Sequence, residues 1–217
     1  ASETGASACA DCGAGTYQPL TGQSACVQCP LGRVQGSMGS TICLECTAGS
    51  YQALVGGTAC TACEGGKAQS RSGQSSCTPC LAGKRSGKGA SSCESCGHTT
   101  WSRVGAITCS LCREGYYYLV GGGGGRENGT CILCESDGVN CGSIGETLPG
   151  LRIKPGFYRI SSSAREIREC PSPLACVGGN ISGAYCREGH TGPLCSVCQK
   201  RYFFDSISEV CVACHGN

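Results

Sequence analysis

Ten Cys-x-x-Cys pairs run through the chain, starting at Cys9, Cys26, Cys43, Cys60, Cys77, Cys93, Cys109, Cys131, Cys195 and Cys211; the first seven intervals are 17, 17, 17, 17, 16, 16 and 22 residues. A period held this long marks one small unit repeated along the chain. Each copy is mostly Gly, Ser, Thr and Gln, as in CGAGTYQPLTGQSACVQC from Cys12 to Cys29, and cannot bury a core of its own. Its stabilisation therefore has to be covalent. Cysteine supplies 24 of the 217 residues, an even count that allows every one to be paired, and this is the composition of a stapled scaffold from an oxidising compartment. In the chain-entropy account, closing a loop of about 15 residues stabilises it by roughly 3 kcal/mol.

The copies can be compared with one another. Glycine stands three residues after each pair at Gly15, Gly32, Gly49, Gly66, Gly83 and Gly115, and four residues before the next at Gly22, Gly39, Gly56, Gly73, Gly89 and Gly105. Two fixed glycines imply two backbone turns per copy, with intervening segments of about four to six residues that suit short strands and not helices. Tyr17, Tyr51, Trp101 and Tyr117 share one position, which Val34, Ala68 and Arg85 occupy elsewhere. Such rings are expected to lie over a neighbouring disulfide or the next copy; an exposed ladder stacking on sugars is the alternative.

The phrase C-x-x-C-x-x-G-x-Y-Q…G-x-x-x-C-x-x-C, seen from Cys9 to Cys29 and again from Cys43 to Cys63, resembles the ephrin-receptor-like cysteine-rich repeat, a relative of the modules of tumour necrosis factor receptors. The likeness spans about residues 9–134, with departures at Gly97 and Thr99 and at the insertion LVGGGGGRENGT. It implies a stalk or rod in an extracellular region, not an enzyme. Two pairings stay open. One-to-three, two-to-four pairing joins Cys9–Cys26, Cys12–Cys29, Cys43–Cys60, Cys46–Cys63, Cys77–Cys93, Cys80–Cys96, Cys109–Cys131 and Cys112–Cys134, and the alternation of Tyr17 and Tyr51 with Val34 and Ala68 favours it. A ladder joining Cys12–Cys26, Cys29–Cys43 and Cys46–Cys60 is the rival.

After Cys134 the period fails, so residues 1–134 are expected to form the array and 135–217 an irregular cysteine-rich segment. In that segment Pro155-Gly156 is expected to turn between two short strands. The loop CREGHTGPLC, Cys186 to Cys195, resembles the last disulfide loop of EGF and laminin-type modules over about ten residues. Cys195 cannot close that loop and also pair with Cys211, so the partners of Cys141, Cys170, Cys176, Cys186, Cys195, Cys198, Cys211 and Cys214 are left unassigned. The start ASETGASACA has neither an initiator Met nor a signal-peptide pattern and reads as a mature or excised segment of something secreted.

Other chemistries find little support. Low charge, the sequons at Asn128 and Asn180 and the Gly/Ser/Thr content argue against four-cysteine zinc sites. No pair opens a helix that would activate a redox thiol. Cys211-Val212-Ala213-Cys214-His215 matches the c-type haem attachment phrase, but among ten such pairs one following His is unsurprising. His98 and His190 read as turn histidines without a catalytic companion. A formal charge of +2 points to no nucleic acid, and no apolar run suggests a membrane span. Lys84, Arg85 and Lys88 form a short basic cluster open to anionic polysaccharide. The expectation is a small disulfide-rich fold of short β-hairpins and loops in an elongated tandem-repeat rod. It would be extracellular or cell-surface, without metal or cofactor, meeting neighbouring copies or other extracellular proteins. The alternative is a receptor-like or anionic-glycan-binding adhesion module.

Overall fold

The computed structural model describes residues 10–21, 23–120, 129–135, 137–180 and 184–214. The chain is disulfide-rich and built of short antiparallel two-stranded hairpins, eleven of them among the described residues, with three single 3₁₀ turns. Most strands are two residues long, as Thr16–Tyr17 against Val27–Gln28 and Ser50–Tyr51 against Thr61–Ala62. No helix of the described residues is long and apolar enough to cross a membrane.

The disulfides form a ladder, which corrects the one-to-three pairing. Cys12 bonds Cys26, Cys29 bonds Cys43, Cys46 bonds Cys60, Cys63 bonds Cys77, Cys80 bonds Cys93, Cys96 bonds Cys109 and Cys112 bonds Cys131. Cys9, assigned to Cys26 in the other scheme, lies outside the described residues. The hairpin decides the pairing. Pairing Thr16 with Gln28 and Tyr17 with Val27 brings the N–H of Cys29 to the carbonyl of Gly15 at 2.9 Å, which sets Cys26 beside Cys12 and leaves Cys29 leading onward. The two sulfurs of a Cys-x-x-Cys pair thus serve opposite neighbours. We call each stretch from an opening to a closing cysteine a link. Further along, Cys134 bonds Cys141, Cys170 bonds Cys176, Cys186 bonds Cys195 and Cys198 bonds Cys211, while Cys214 is free and exposed. The Cys186–Cys195 loop therefore forms, and a Cys195–Cys211 pair does not.

The chain divides into two compact units, residues 1–97 with 102–109, and residues 98–101 with 110–217. In the first unit, backbone bonds tie each link to the next. The Gly32 N–H donates to Gln52 O, the Gln35 N–H to Gly57 O, and the Gly56 N–H returns to Cys29 O, at 2.8 to 3.0 Å; the same bonds recur one link on, from Gly49, Gln52 and Gly73. Contact also reaches two links ahead. A Cβ on Gly49 would lie 2.2 Å from the carbonyl oxygen of Gly89, and Gly15, Gly32 and Gly66 meet Gly56, Gly73 and Gly105 in the same way. The two periodic glycines thus form one joint: the first admits the backbone that the second presents.

A glutamine closes each of the first four links. The Gln35 Nε2 donates to Ile42 O at 2.8 Å while its Oε1 accepts the Ser37 N–H at 3.0 Å. Gln18, Gln52 and Gln69 repeat the bridge. The next two links are one residue shorter, and buried Ser86 and Ser102 replace the glutamine, donating back to Lys67 O and Lys84 O of the preceding link.

The second unit has an apolar core. Tyr117, Val139, Leu148, Leu151, Ile153 and Tyr185 cluster there, with Leu119, Ile132 and Phe157 packed against them. Tyr117 comes from the Cys112–Cys131 link and Ile132 directly follows Cys131, so this hairpin belongs to the second unit. The strands flanking Pro155-Gly156 do not pair with each other: Arg152–Ile153 pairs with Val139–Asn140, and Phe157–Tyr158 with Arg168–Glu169.

Gly49→Ala and Gly89→Ala separate shape from conformation. Both glycines have φ in the left-handed region, +84° and +73°, but a Cβ on Gly89 meets only Ala62 Cβ at 3.9 Å. Gly89→Ala is expected to cost about 1–2 kcal/mol, and Gly49→Ala clearly more, measured by amide exchange of the neighbouring links with disulfides intact. Equal costs would contradict the joint.

Candidate functional site

The basic cluster sits on the hairpin of Lys84–Arg85 against Glu94–Ser95. Arg85 lies directly opposite Glu94 and pairs with it at 3.0 Å, an exposed ion pair of small energetic value. Lys84 and Lys88 are exposed and carry no ion pair among the described residues. The cluster therefore presents two free cations where the sequence suggested three. Asn180 is exposed, and the rest of its sequon, with Asn128, lies outside the described residues.

The aromatic positions differ in their surroundings. Tyr17 and Tyr51 are half-buried, Tyr117 is buried in the second core, and the Arg113 guanidinium lies 5.0 Å from the Trp101 ring centroid. A cation over the indole occupies the face a sugar would use.

Clefts lie in the second unit. One of about 430 Å³ is lined by Pro171, His190, Leu194, Phe204 and Glu209. His190, read from the sequence as a turn histidine, stands in the strand His190–Thr191 and is buried. Its Nδ1–H donates to Cys195 O at 2.8 Å and its Nε2 accepts the Cys211 N–H at 2.7 Å. These partners fix the tautomer and leave neither nitrogen for proton transfer. His190 instead joins the Cys186–Cys195 link to the Cys198–Cys211 link.

Arg159 is the least expected buried group, at 1% exposure. Its Nη1 donates to Leu148 O at 2.7 Å, and Nη2 lies 3.4 Å from the Tyr185 hydroxyl. The carbonyls belong to the 3₁₀ turn Leu148–Gly150. This cation thus adds a second donor to the Leu148 carbonyl, which also takes the Leu151 N–H at 3.4 Å. Only the long cysteine-free stretch from 142 to 169 hinted that something other than sulfur organises this region, and no sequence signal singled out Arg159.

The sulfurs offer little metal chemistry, because every described cysteine except Cys214 is in a disulfide and the thiolates a zinc site needs are consumed. Among the described residues no group of three or more His, Cys, Asp or Glu gathers as metal ligands. Cys211 is bonded to Cys198, so the haem-like phrase has lost one of its two attachment sulfurs. His215 lies outside the described residues.

Residues 1–42 match the model of a family described as tyrosine-protein kinase ephrin type A/B receptor-like. No curated protein matches the chain. With the repeated disulfides, this match makes the beginning of the chain similar to an ephrin-receptor-like cysteine-rich module.

Asp205 shapes the tip of the Cys198–Cys211 hairpin. The Ser208 hydroxyl at 2.6 Å and the Ile207 N–H at 3.1 Å hold its carboxyl below the usual aspartate range. A depressed carboxyl stabilises the folded turn above the unfolded pKa and loses that contribution as pH falls through the folded value. The Ile207 and Ser208 amide resonances should therefore shift together on acidification below the ordinary aspartate range, and Asp205→Asn should flatten the titration. An unchanged titration in Asp205→Asn would exclude this turn as its source.

Proposed function

We propose that the chain is a non-enzymatic extracellular structural segment, a rod-like stretch of a surface filament, an appendage or a large ectodomain. The observation that carries this is the ladder: one disulfide closes each link, and backbone bonds join successive links within the first unit. Such an arrangement resists bending at every joint without an apolar core, and it keeps short loops away from a protease's extended binding cleft. An oxidising compartment suits its sulfur chemistry. Repeated links offer long lateral surfaces to neighbouring copies or to other extracellular proteins.

A receptor-like or glycan-binding role is the second reading. It is favoured by exposed, unpaired Lys84 and Lys88 and by the ephrin-receptor-like match.

Solution scattering tests the first reading. A compact fold of this length has a radius of gyration of about 17 Å; the rod requires a value well above that, and a value near it would reject the rod. Lys84→Glu with Lys88→Glu addresses the second. The rod reading expects retention on a sulfated polysaccharide column to be weak and little changed, whereas a glycan-binding role requires a salt-sensitive loss.

A further inference from the structure

We propose that the outward face of the Cys198–Cys211 link is a docking end for one further cysteine link of the array's own type, entered through Cys214. Six links hand the same three backbone groups to the residues that follow them; the Cys96 and Cys186 links do not. In the links opened by Cys12, Cys29, Cys46, Cys63, Cys80 and Cys112, the chain that follows takes up three groups: the N–H three residues after the opening cysteine, the N–H six residues after it, and the opening cysteine's own carbonyl; for Cys112 the last two go to residues just beyond the Cys134–Cys141 link. For the Cys112 link these bonds are Gly115 N–H to Cys141 O, Tyr118 N–H to Glu146 O, and Gly145 N–H to Cys112 O, at 2.7 to 2.8 Å.

The Cys198 link matches that one in register. Tyr116 to Leu119 pair with Leu133 to Thr130, and Tyr202 to Asp205 pair with Ala213 to Val210, so Tyr118 faces Cys131 as Phe204 faces Cys211. The equivalent groups are then the Arg201 N–H, the Phe204 N–H and the Cys198 carbonyl, and none has a partner among the described residues. Arg201 even holds the left-handed conformation, φ 73°, that glycine supplies at this place in the other links. The side chains agree: Tyr117 is 8% exposed under the residues that follow it, while Phe203, at the same offset, is 52% exposed.

Cys214 supplies an independent observation. Its N–H donates to Arg201 O at 2.8 Å. Cys29, Cys46, Cys63, Cys80, Cys96 and Cys134 make the same bond to the preceding link, and each of them opens a disulfide link. Cys214 stands in that place with a free, exposed sulfur. This commits the occupant. Every described disulfide joins an opening cysteine to a later one of the same chain, so the occupant is a link entered through Cys214 and not one brought by a second copy. The occupant must supply a closing cysteine, two carbonyls for the open N–H groups, and a glycine N–H for Cys198 O. The face offers the groups that the Cys112 link gives to the chain after it.

The test replaces residues 215–217 of the chain with a copy of residues 47–63, the stretch that follows Cys46, and in a second variant with residues 30–46. In the unextended chain a maleimide should label Cys214, and the Arg201 and Phe204 amides should exchange freely. In the extended chains Cys214 should bond the first cysteine of the graft, and both amides should slow by about tenfold or more, as buried link-to-link amides do. The proposal is overturned if both grafts leave the two amides at their original rates, whether or not Cys214 becomes bonded. It is equally overturned if the unextended chain forms Cys214-linked dimers that already protect those amides.

Discussion

Each of the first six described hairpins is held shut by one sulfur–sulfur bond between cysteines 13 or 14 residues apart. A two-residue strand pair in water does not persist by itself, and these links have almost nothing apolar to bury. Once the bond fixes the two ends of a link, the remaining interactions become local and inexpensive to form. A glutamine bridges the loop, a glycine turns it, and three outward backbone groups find the next link. Because a Cys-x-x-Cys pair gives one sulfur to each neighbour, the bond that closes a link also sets where the next one starts.

The second unit shows how far this scheme can be relaxed. Where cysteines thin out between 142 and 169, Tyr117, Leu148, Leu151, Ile153 and Tyr185 form a conventional core. Arg159 takes the part that cross-links play elsewhere, reaching the carbonyls of Leu148, Pro149 and Leu151. Inside that unit hairpins persist, but their order is set by packing. That is why the strands on either side of Pro155-Gly156 belong to different hairpins.

The fold class, hairpins and glycine turns were legible in the sequence, because a repeat exposes its own constraints by recurrence. Pairing was not. The alternation of Tyr17 and Tyr51 with Val34 and Ala68 has no counterpart in the disulfides, and identical cysteine spacings fit either scheme. The glutamine bridge was visible as Tyr-Gln in the repeated phrase, but its meaning depends on a loop closing back seven residues later, which spacing alone does not show. Arg85 looked free because Glu94 is nine residues away in sequence and opposite only in the hairpin. His190 read as a turn histidine because the element that buries it, around Cys211, comes 21 residues later.

Trypsin digestion of denatured, thiol-blocked protein without reductant tests the ladder most directly. With Arg33 and Lys67 as the first two basic residues, cleavage there yields fragments 1–33 and 34–67. The ladder requires these fragments to stay joined through Cys29–Cys43 until a reductant is added. Release of 1–33 alone, with its four cysteines bonded among themselves, would contradict the account.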